Sequence, residues 1–276
     1  MNNLPRNTAL SITASFALAL LIVGCSTSQK SVTLPGESIL ETGQLIIHSD
    51  FYIPSKHRLI DELNARRRDI AEQLLLPLSN EPIKVFIFET EEEYIEYMTR
   101  EHPLFPDRRA FFVKNDTELK IYAWWGQRVG EDLRHEVTHG YLHSVVPNLP
   151  LWLDEGLAEY YETPRGIHGL NKSHVFLLNE AFRRNEWEPD LKALEALDNP
   201  AAMTQLQYAE CWLWIHFMLE NEWSSPKLLQ DQLARLRMSA ESQELSNFID
   251  STIESDEDQN KELLLIDHLK EQATKL

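Results

Sequence analysis

The segment His135-Glu-Val-Thr-His139 constrains this chain more than any other feature of its sequence. On an α-helix, residues four apart lie on one face, so the two imidazoles would point to the same side. An acidic first turn at Gly130-Glu-Asp132 and the helix-breaking Pro147 predict where this helix begins and ends. Its apolar residues recur at every fourth position on the other side, at Leu133, Val137, Tyr141 and Val145. The sequence therefore predicts a helix with one side in the core and two histidines on the other.

A second, shorter helix is predicted directly after the first, from Pro150 to Tyr161. Its sequence, Trp-Leu-Asp-Glu-Gly-Leu-Ala-Glu-Tyr, places Trp152, Glu155 and Glu159 on one face and the leucines on the opposite face. The connection between the two helices is so short that they should lie antiparallel or steeply crossed. We therefore expect Glu155 to reach back to the histidine pair.

Two imidazoles and a carboxylate that converge on one point form a zinc site with a fourth position left for water. The sequence predicts that His135, His139 and Glu155 are the three Zn²⁺ ligands. Asp154 is a less favoured alternative to Glu155. A third histidine ligand six residues after the second is excluded, because Val145 stands at that position.

Catalytic roles are predicted for residues close to these ligands. Glu136 follows the first histidine, and we expect it to act as the general base that takes a proton from water. A tetrahedral intermediate also needs a donor for its oxyanion. Tyr208 is the first candidate for that donor and His216 is the second; the alternative for Tyr208 is an ordinary position in the core.

Two further carboxylates are expected to support the ligands. Glu159, one turn after Glu155, would either accept the ring N–H of His135 or face solvent. Asp154 would either place a charge at the helix start or hold a ligand histidine. His143 extends the histidine row by one turn, and we expect it at the surface or beside the site instead of on the metal.

The front of the chain is predicted to be a signal peptide, residues 1–24. The apolar run from Ala9 to Val23 is too short to span a membrane comfortably. It ends in Leu21-Ile-Val-Gly-Cys25, which resembles the lipobox of bacterial lipoproteins. The resemblance implies cleavage before Cys25, lipidation of that cysteine and, with Ser26 next, sorting to the outer membrane on its periplasmic side. An ordinary secretory signal is the alternative.

Charge and cysteine content limit the partners. The formal net charge is −18, and cleavage before Cys25 would remove Arg6 and no acidic residue, which makes the remaining chain one unit more acidic. Such a surface argues against nucleic acid as a partner and against membrane binding through a basic patch, so membrane attachment would come from the lipid. With Cys25 lipidated, Cys211 has no disulfide partner, and we expect it to be a buried thiol.

The remaining chain is predicted to be α+β, with a small mixed β-sheet and helices followed by a mostly helical metal-binding half. The strand Leu119–Trp125 forms a hairpin with Ala110–Val113. It either binds an extended peptide as one more strand or is an ordinary member of the sheet. The boundaries are a polar tether at 25–40, a main domain at 41–225, with a sheet part at 41–125 and a helical active-site part at 126–225, and a helical C-terminal extension at 226–276.

The stretch from about Leu45 to Leu219 resembles the peptidase-MA-like proteins of the gluzincin type. The similarity is carried by the H-E-x-x-H segment and by the helix Trp152–Tyr160. It implies a zincin-like fold for residues 41–225, with zinc bound at the three ligands named above and Glu136 as general base. The spacing between the second histidine and the ligand carboxylate is shorter than in the aminopeptidase branch, so exopeptidase activity is not implied.

These observations favour zinc-dependent hydrolysis of peptide bonds by an endopeptidase that acts on proteins or peptides of the cell envelope. One alternative is a zinc-binding but non-catalytic envelope lipoprotein that serves as an interaction scaffold. A third hypothesis is a hydrolase of cell-wall peptide cross-links. The intact Glu136 favours hydrolysis, because a scaffold has no need of a base beside its metal.

Overall fold

The computed structural model describes residues 32–221, 226–238, 245–246 and 261–276. The predicted signal peptide, the lipidation site Cys25 and the tether up to residue 31 lie outside these residues. The described chain combines helices with one β-sheet, which confirms the α+β class. Among the described helices, none is both long and apolar enough to cross a bilayer.

Five strands and nine α-helices follow one another along the described chain. They are β1 Ser38–Thr42, β2 Leu45–Ser49, α1 Arg58–Gln73, β3 Ile83–Phe88, α2 Glu91–Glu101, β4 Ala110–Lys114, β5 Leu119–Trp124, α3 Val129–His143, α4 Leu151–Tyr161, α5 Lys172–Arg183, α6 Leu191–Glu195, α7 Gln205–Glu220, α8 Pro226–Met238 and α9 Lys261–Ala273. A 3₁₀ turn at Pro200–Ala202 precedes α7. The described strands all end before residue 125 and every later described element is helical, as the sequence predicts.

The sheet has the strand order β1-β2-β3-β5-β4. The three central strands run parallel, and β1 and β4 pair antiparallel with their neighbours at the two edges. Successive side chains of β3 point to opposite faces of the sheet, and both faces are buried. Ile83, Val85 and Ile87 join the main core with α1 and α3, whereas Phe86 and Phe88 pack into an aromatic cluster with α2.

Strand β1 corrects the predicted tether, because residues 38–40 belong to the sheet. This strand is hard to recognise in the sequence because it has only five residues and its Ile39 is 59% exposed at the sheet edge. Its pairing with β2 holds it, together with a tight turn at Gly43, whose φ of +58° suits glycine. An edge strand with so little apolar surface gives no periodic signal to detect.

The predicted hairpin is present as β4 and β5, but the peptide-binding role suggested for Leu119–Trp125 is wrong. β5 pairs with β3 on one side and β4 on the other, so both of its backbone edges are already hydrogen-bonded. The strand at the sheet edge is instead β4. Hairpin pairing and alternation could be read from the sequence, whereas the order of strands in the sheet depends on packing far along the chain.

The helical half is centred on α7, whose residues are almost entirely buried. α4, α5 and α8 pack against it, and α9 packs on both α5 and α7. The described helices of the predicted extension 226–276 pack back on the domain, in the same compact unit as the rest of the described chain. Cys211 on α7 is a free, buried cysteine as expected, and burial raises the pKa of its thiol.

α4 and α7 approach most closely at Gly156. A Cβ at this position would lie 2.7 Å from the carbonyl oxygen of Cys211 and 2.8 Å from a side-chain carbon of Ile215. The neighbour of Gly156 in sequence is Glu155, so this backbone contact also fixes the position of the predicted third ligand.

We expect Gly156→Ala to lower the free energy of unfolding by about 1–3 kcal/mol, because the added methyl forces two buried helices apart. Gly130→Ala is the matched control: it is also a helical glycine, but its Cβ would meet nothing closer than 3.4 Å. The control should be neutral or stabilising by up to about 1 kcal/mol through helix propensity. Urea unfolding followed by circular dichroism measures both; equal stability of the two variants would contradict the prediction.

His216, the second candidate oxyanion donor, is instead a core residue, and that prediction is wrong. Its Nδ1 lies 2.8 Å from Nε2 of His268 on α9, and the Asn221 amide lies 2.9 Å from the other nitrogen of His268. Burial, with mutual repulsion as the second cause, lowers the pKa of His216 to about 3; burial lowers that of His268 to about 4. Two neutral imidazoles thus join α9 to α7.

This pair predicts a loss of stability in acid. Below about pH 6.5 both imidazoles bind protons in the unfolded chain but stay neutral in the folded protein. The free energy of unfolding therefore falls as the pH drops from 6.5 towards 4. We expect the stability difference between wild type and His268→Gln to shrink by about 2 kcal/mol between pH 7 and pH 5, since only wild type carries the second imidazole. Urea unfolding at both pH values tests this, and a constant difference would refute it.

Candidate metal centre

The first helix of the site, α3, presents His135 and His139 one turn apart, and α4 returns beside it with Glu155. The Nε2 atom of His135 lies 3.5 Å from Oε2 of Glu155, and Nε2 of His139 lies 3.7 Å from the same oxygen. The ligand atoms of all three residues fall within 4.8 Å of one another. The structure therefore brings together the three residues predicted to bind metal.

The other ring nitrogen of each histidine is occupied by a carboxylate. Nδ1 of His135 lies 3.1 Å from Glu162, and Nδ1 of His139 lies 2.8 Å from Asp154. Because a carboxylate accepts, Nδ1 carries the proton when the ring is neutral. That tautomer leaves the Nε2 lone pairs of both rings facing Glu155.

The three residues fit a divalent cation. Oε2 of Glu155 is buried and has no hydrogen-bond partner, although Glu155 is only 5% exposed and buried carboxylates normally find partners. Bonds of about 2.0–2.1 Å at a tetrahedral zinc place ligand atoms about 3.3 Å apart, close to the contacts seen here. Two imidazoles with one carboxylate are a donor set that favours zinc.

The electrostatic field at this point is negative. Burial alone would lower the pKa of His135, but Glu155 and Glu162 raise it well above its ordinary value. Burial likewise opposes protonation of His139, yet Asp154 and Glu155 bring its pKa up to about 8. A field that attracts protons to imidazoles attracts a cation for the same reason.

Glu136 lines the cleft beside the histidines, and the nearby backbone N–H of Phe112 on the edge strand β4 favours its charged form. Burial raises the pKa of Glu136, while the neighbouring histidines partly offset the shift. A carboxylate with a raised pKa is a stronger base than an exposed one, which suits the predicted role.

Asp154 lies beside the histidines and away from the point where the ligands converge, so it is no substitute for Glu155. Its second oxygen lies 2.7 Å from Nε2 of His143, which ties two turns of α3 to the start of α4. Burial would raise the pKa of Asp154, but the two histidines hold it well below its usual range. The ring of Phe112 stacks on both His139 and His143.

The predicted contact between Glu159 and His135 is wrong. Glu159 lies 2.7 Å from Nε2 of His174 on α5, and Glu162 occupies the nitrogen of His135 instead. Glu162 also accepts a hydrogen bond from Asn171 at 3.0 Å. The His174 hydrogen bond lowers the pKa of Glu159 against the effect of burial, whereas burial raises that of Glu162.

Glu162 stands seven residues after Glu155, two helical turns along the same face, so the sequence did hold a signal for it. The sequence does not show that Glu159 hydrogen-bonds to His174 on α5 instead of His135. This hydrogen bond forms because the chain between α4 and α5 folds back and buries His174.

Tyr208, at the start of α7, lines the same cleft as His135 and Glu136. Its hydroxyl accepts a hydrogen bond from Nη2 of Arg108 at 2.6 Å and lies 3.2 Å from the carbonyl oxygen of Pro200, to which it donates. Burial and the nearby Glu155 raise its pKa. The tyrosine thus lines the cleft, and so does its partner Arg108, which no pattern in the sequence marks as a functional residue. The cleft has a volume of about 620 Å³.

No protein-family model matches the chain, and a search of curated proteins finds no match.

The contacts of the two glutamates give a test. We expect Glu162→Gln to weaken Zn²⁺ binding about 10- to 100-fold, because the charge beside a ligand histidine is lost. Glu159→Gln is the matched control and should have a smaller effect, since Glu159 hydrogen-bonds His174 and no ligand. Competition with a chromogenic chelator gives both affinities; an equal or larger loss in the control would contradict the assignment.

Proposed function

We propose that this protein is a zinc-dependent peptidase with a zincin-like fold, related to the peptidase-MA-like proteins of the gluzincin type. The observation that carries the proposal is the convergence of two imidazole nitrogens on a buried, unpartnered oxygen of Glu155, beside the acid Glu136 in an open cleft. A catalytic zinc site needs three protein ligands and free space at the fourth position, and the exposure of the ligand His135 to the cleft supports such an opening.

The residues of the site have distinct roles in this proposal. Zinc held by His135, His139 and Glu155 would supply the Lewis acidity that makes water a nucleophile near neutral pH. Glu136 takes the proton from that water and delivers it to the leaving amine. Asp154 and Glu162 keep both imidazoles in one orientation through their Nδ1 atoms.

A peptide is the substrate that suits this cleft. The edge strand β4 lies beside Glu136, and an extended chain can add to a free strand edge through backbone hydrogen bonds. In this proposal β4 takes the peptide-binding role that was predicted for β5. Tyr208 would contribute a hydroxyl near the reacting carbonyl once its hydrogen bond to Pro200 is exchanged.

The setting we propose is the bacterial envelope. Support comes from the sequence before the described residues, where the lipobox resemblance at Cys25 suggests a lipid anchor in the outer membrane. The substrates would then be proteins or peptides of the periplasm. The acidic surface argues against nucleic acid as a partner.

Elemental analysis of the purified protein should give about one zinc per chain, and wild type should cleave members of a peptide library that includes cell-wall peptides. Glu136→Gln should retain zinc and lose about 10²- to 10⁴-fold in rate, the usual contribution of a general base. Glu131→Gln, a matched change at the start of the same helix, should keep most of the activity. Full activity in Glu136→Gln would refute the mechanism; zinc with no hydrolysis in wild type would favour the scaffold function.

A further inference from the structure

Four arginines line the cleft at the metal centre, and three of them have a role within the protein. Arg109 makes a paired contact with Asp132, with Nη2 at 2.6 Å from its oxygen. Arg128 is bound to Glu131. Arg134 donates to the carbonyl oxygen of residue 162 and approaches Glu62 at 3.5 Å. The charges of these three side chains are directed towards groups of the protein itself.

Arg108 differs from them. Its Nη2 atom donates to the Tyr208 hydroxyl at 2.6 Å and approaches the carbonyl oxygen of Pro200 at 3.2 Å, and its guanidinium lies over the Tyr208 ring. Both acceptors are neutral, and within the described part of the chain no carboxylate comes within salt-bridge distance of Arg108. A guanidinium has five N–H donors, so most of those on Arg108 remain free.

The position of Arg108 makes an unpaired charge unusual. It is half-buried in the cleft wall, and the acids Glu136 and Glu155 lie near enough to stabilise its charge. Lys172 also lines the cleft, but it is exposed on the first turn of α5, where water screens its charge. A half-buried arginine held in place by a tyrosine, with donors to spare, is a preformed anion site.

We propose that Arg108 binds a carboxylate of the substrate, so that the cleft selects peptides carrying a free carboxylate close to the bond that is cleaved. This inference rests on the proposed function and names its substrate class. The carboxylate could be the peptide C-terminus or an acidic side chain, because the guanidinium recognises the same two oxygens in both. A phosphate is disfavoured, since its second negative charge would be repelled by the acids that surround the metal point.

The test uses three pools of N-dansyl pentapeptides with otherwise random sequence. The first pool has a free C-terminus and no Asp or Glu; the second is C-amidated and has no Asp or Glu; the third is C-amidated and has Asp or Glu at one position. Fluorescence anisotropy gives the affinity of the zinc-loaded Glu136→Gln protein for each pool, and initial rates of wild type give the cleavage preference.

We expect the first or the third pool to bind at least tenfold more tightly than the second. Adding Arg108→Gln should remove that preference, a loss of about 10- to 100-fold for a charge-assisted hydrogen bond. Arg109→Gln is the matched control: it removes the same charge one residue away, from a side chain already neutralised by Asp132, and should leave the preference intact. Thermal melts establish that each variant is folded.

The experiment can refute the carboxylate-binding role of Arg108 and the peptidase function independently of each other. Equal binding of all three pools, or a preference that survives Arg108→Gln in a folded protein, would overturn the inference even if wild type cleaves peptides. A preference that depends on Arg108 supports it even if wild type cleaves none, because anisotropy needs no turnover. Whether the first or the third pool binds identifies the source of the carboxylate.

Discussion

The structure around α3 and α4 depends on how a group of closely spaced carboxylates is neutralised. Glu136, Asp154, Glu155, Glu159 and Glu162 lie together around four histidines, with Glu155 buried and the other four partly buried. Buried charges of one sign repel strongly unless an opposite charge is present. Here the compensation is almost entirely imidazole, whose charge depends on protons. A divalent cation at the point of convergence would supply two positive charges and leave the histidines free to be neutral ligands.

This arrangement explains why the supporting residues form pairs. Asp154 bridges two histidines of α3. Glu159 hydrogen-bonds to His174, and Glu162 hydrogen-bonds to His135. Each carboxylate therefore fixes the tilt of α4 against a neighbouring helix as well as orienting a ring. Removal of one member leaves its partner buried and unpaired, which costs more than the lost hydrogen bond itself.

The features that sequence reasoning predicted well are those with short-range causes. The helix positions of His135 and His139, the return of Glu155 and the hairpin of β4 and β5 follow from periodicity and from short connections. The errors have long-range causes. His216 has the same local pattern as a cleft residue, and only α9, about fifty residues later, makes it a core residue. Arg108 lies in an irregular loop, and nothing in the sequence shows that it meets Tyr208 one hundred residues away.

The contact at Gly156 has a consequence for how the chain can change. α7 touches α4 at that glycine and also packs against α9, while no described residue of α9 lines the cleft. A substitution on α9 that shifts α7 by a fraction of an ångström is therefore transmitted, backbone to backbone, to the residue next to Glu155. Substitutions in α9 are therefore constrained by the geometry that the metal-binding residues require, even though α9 is remote from them in the sequence.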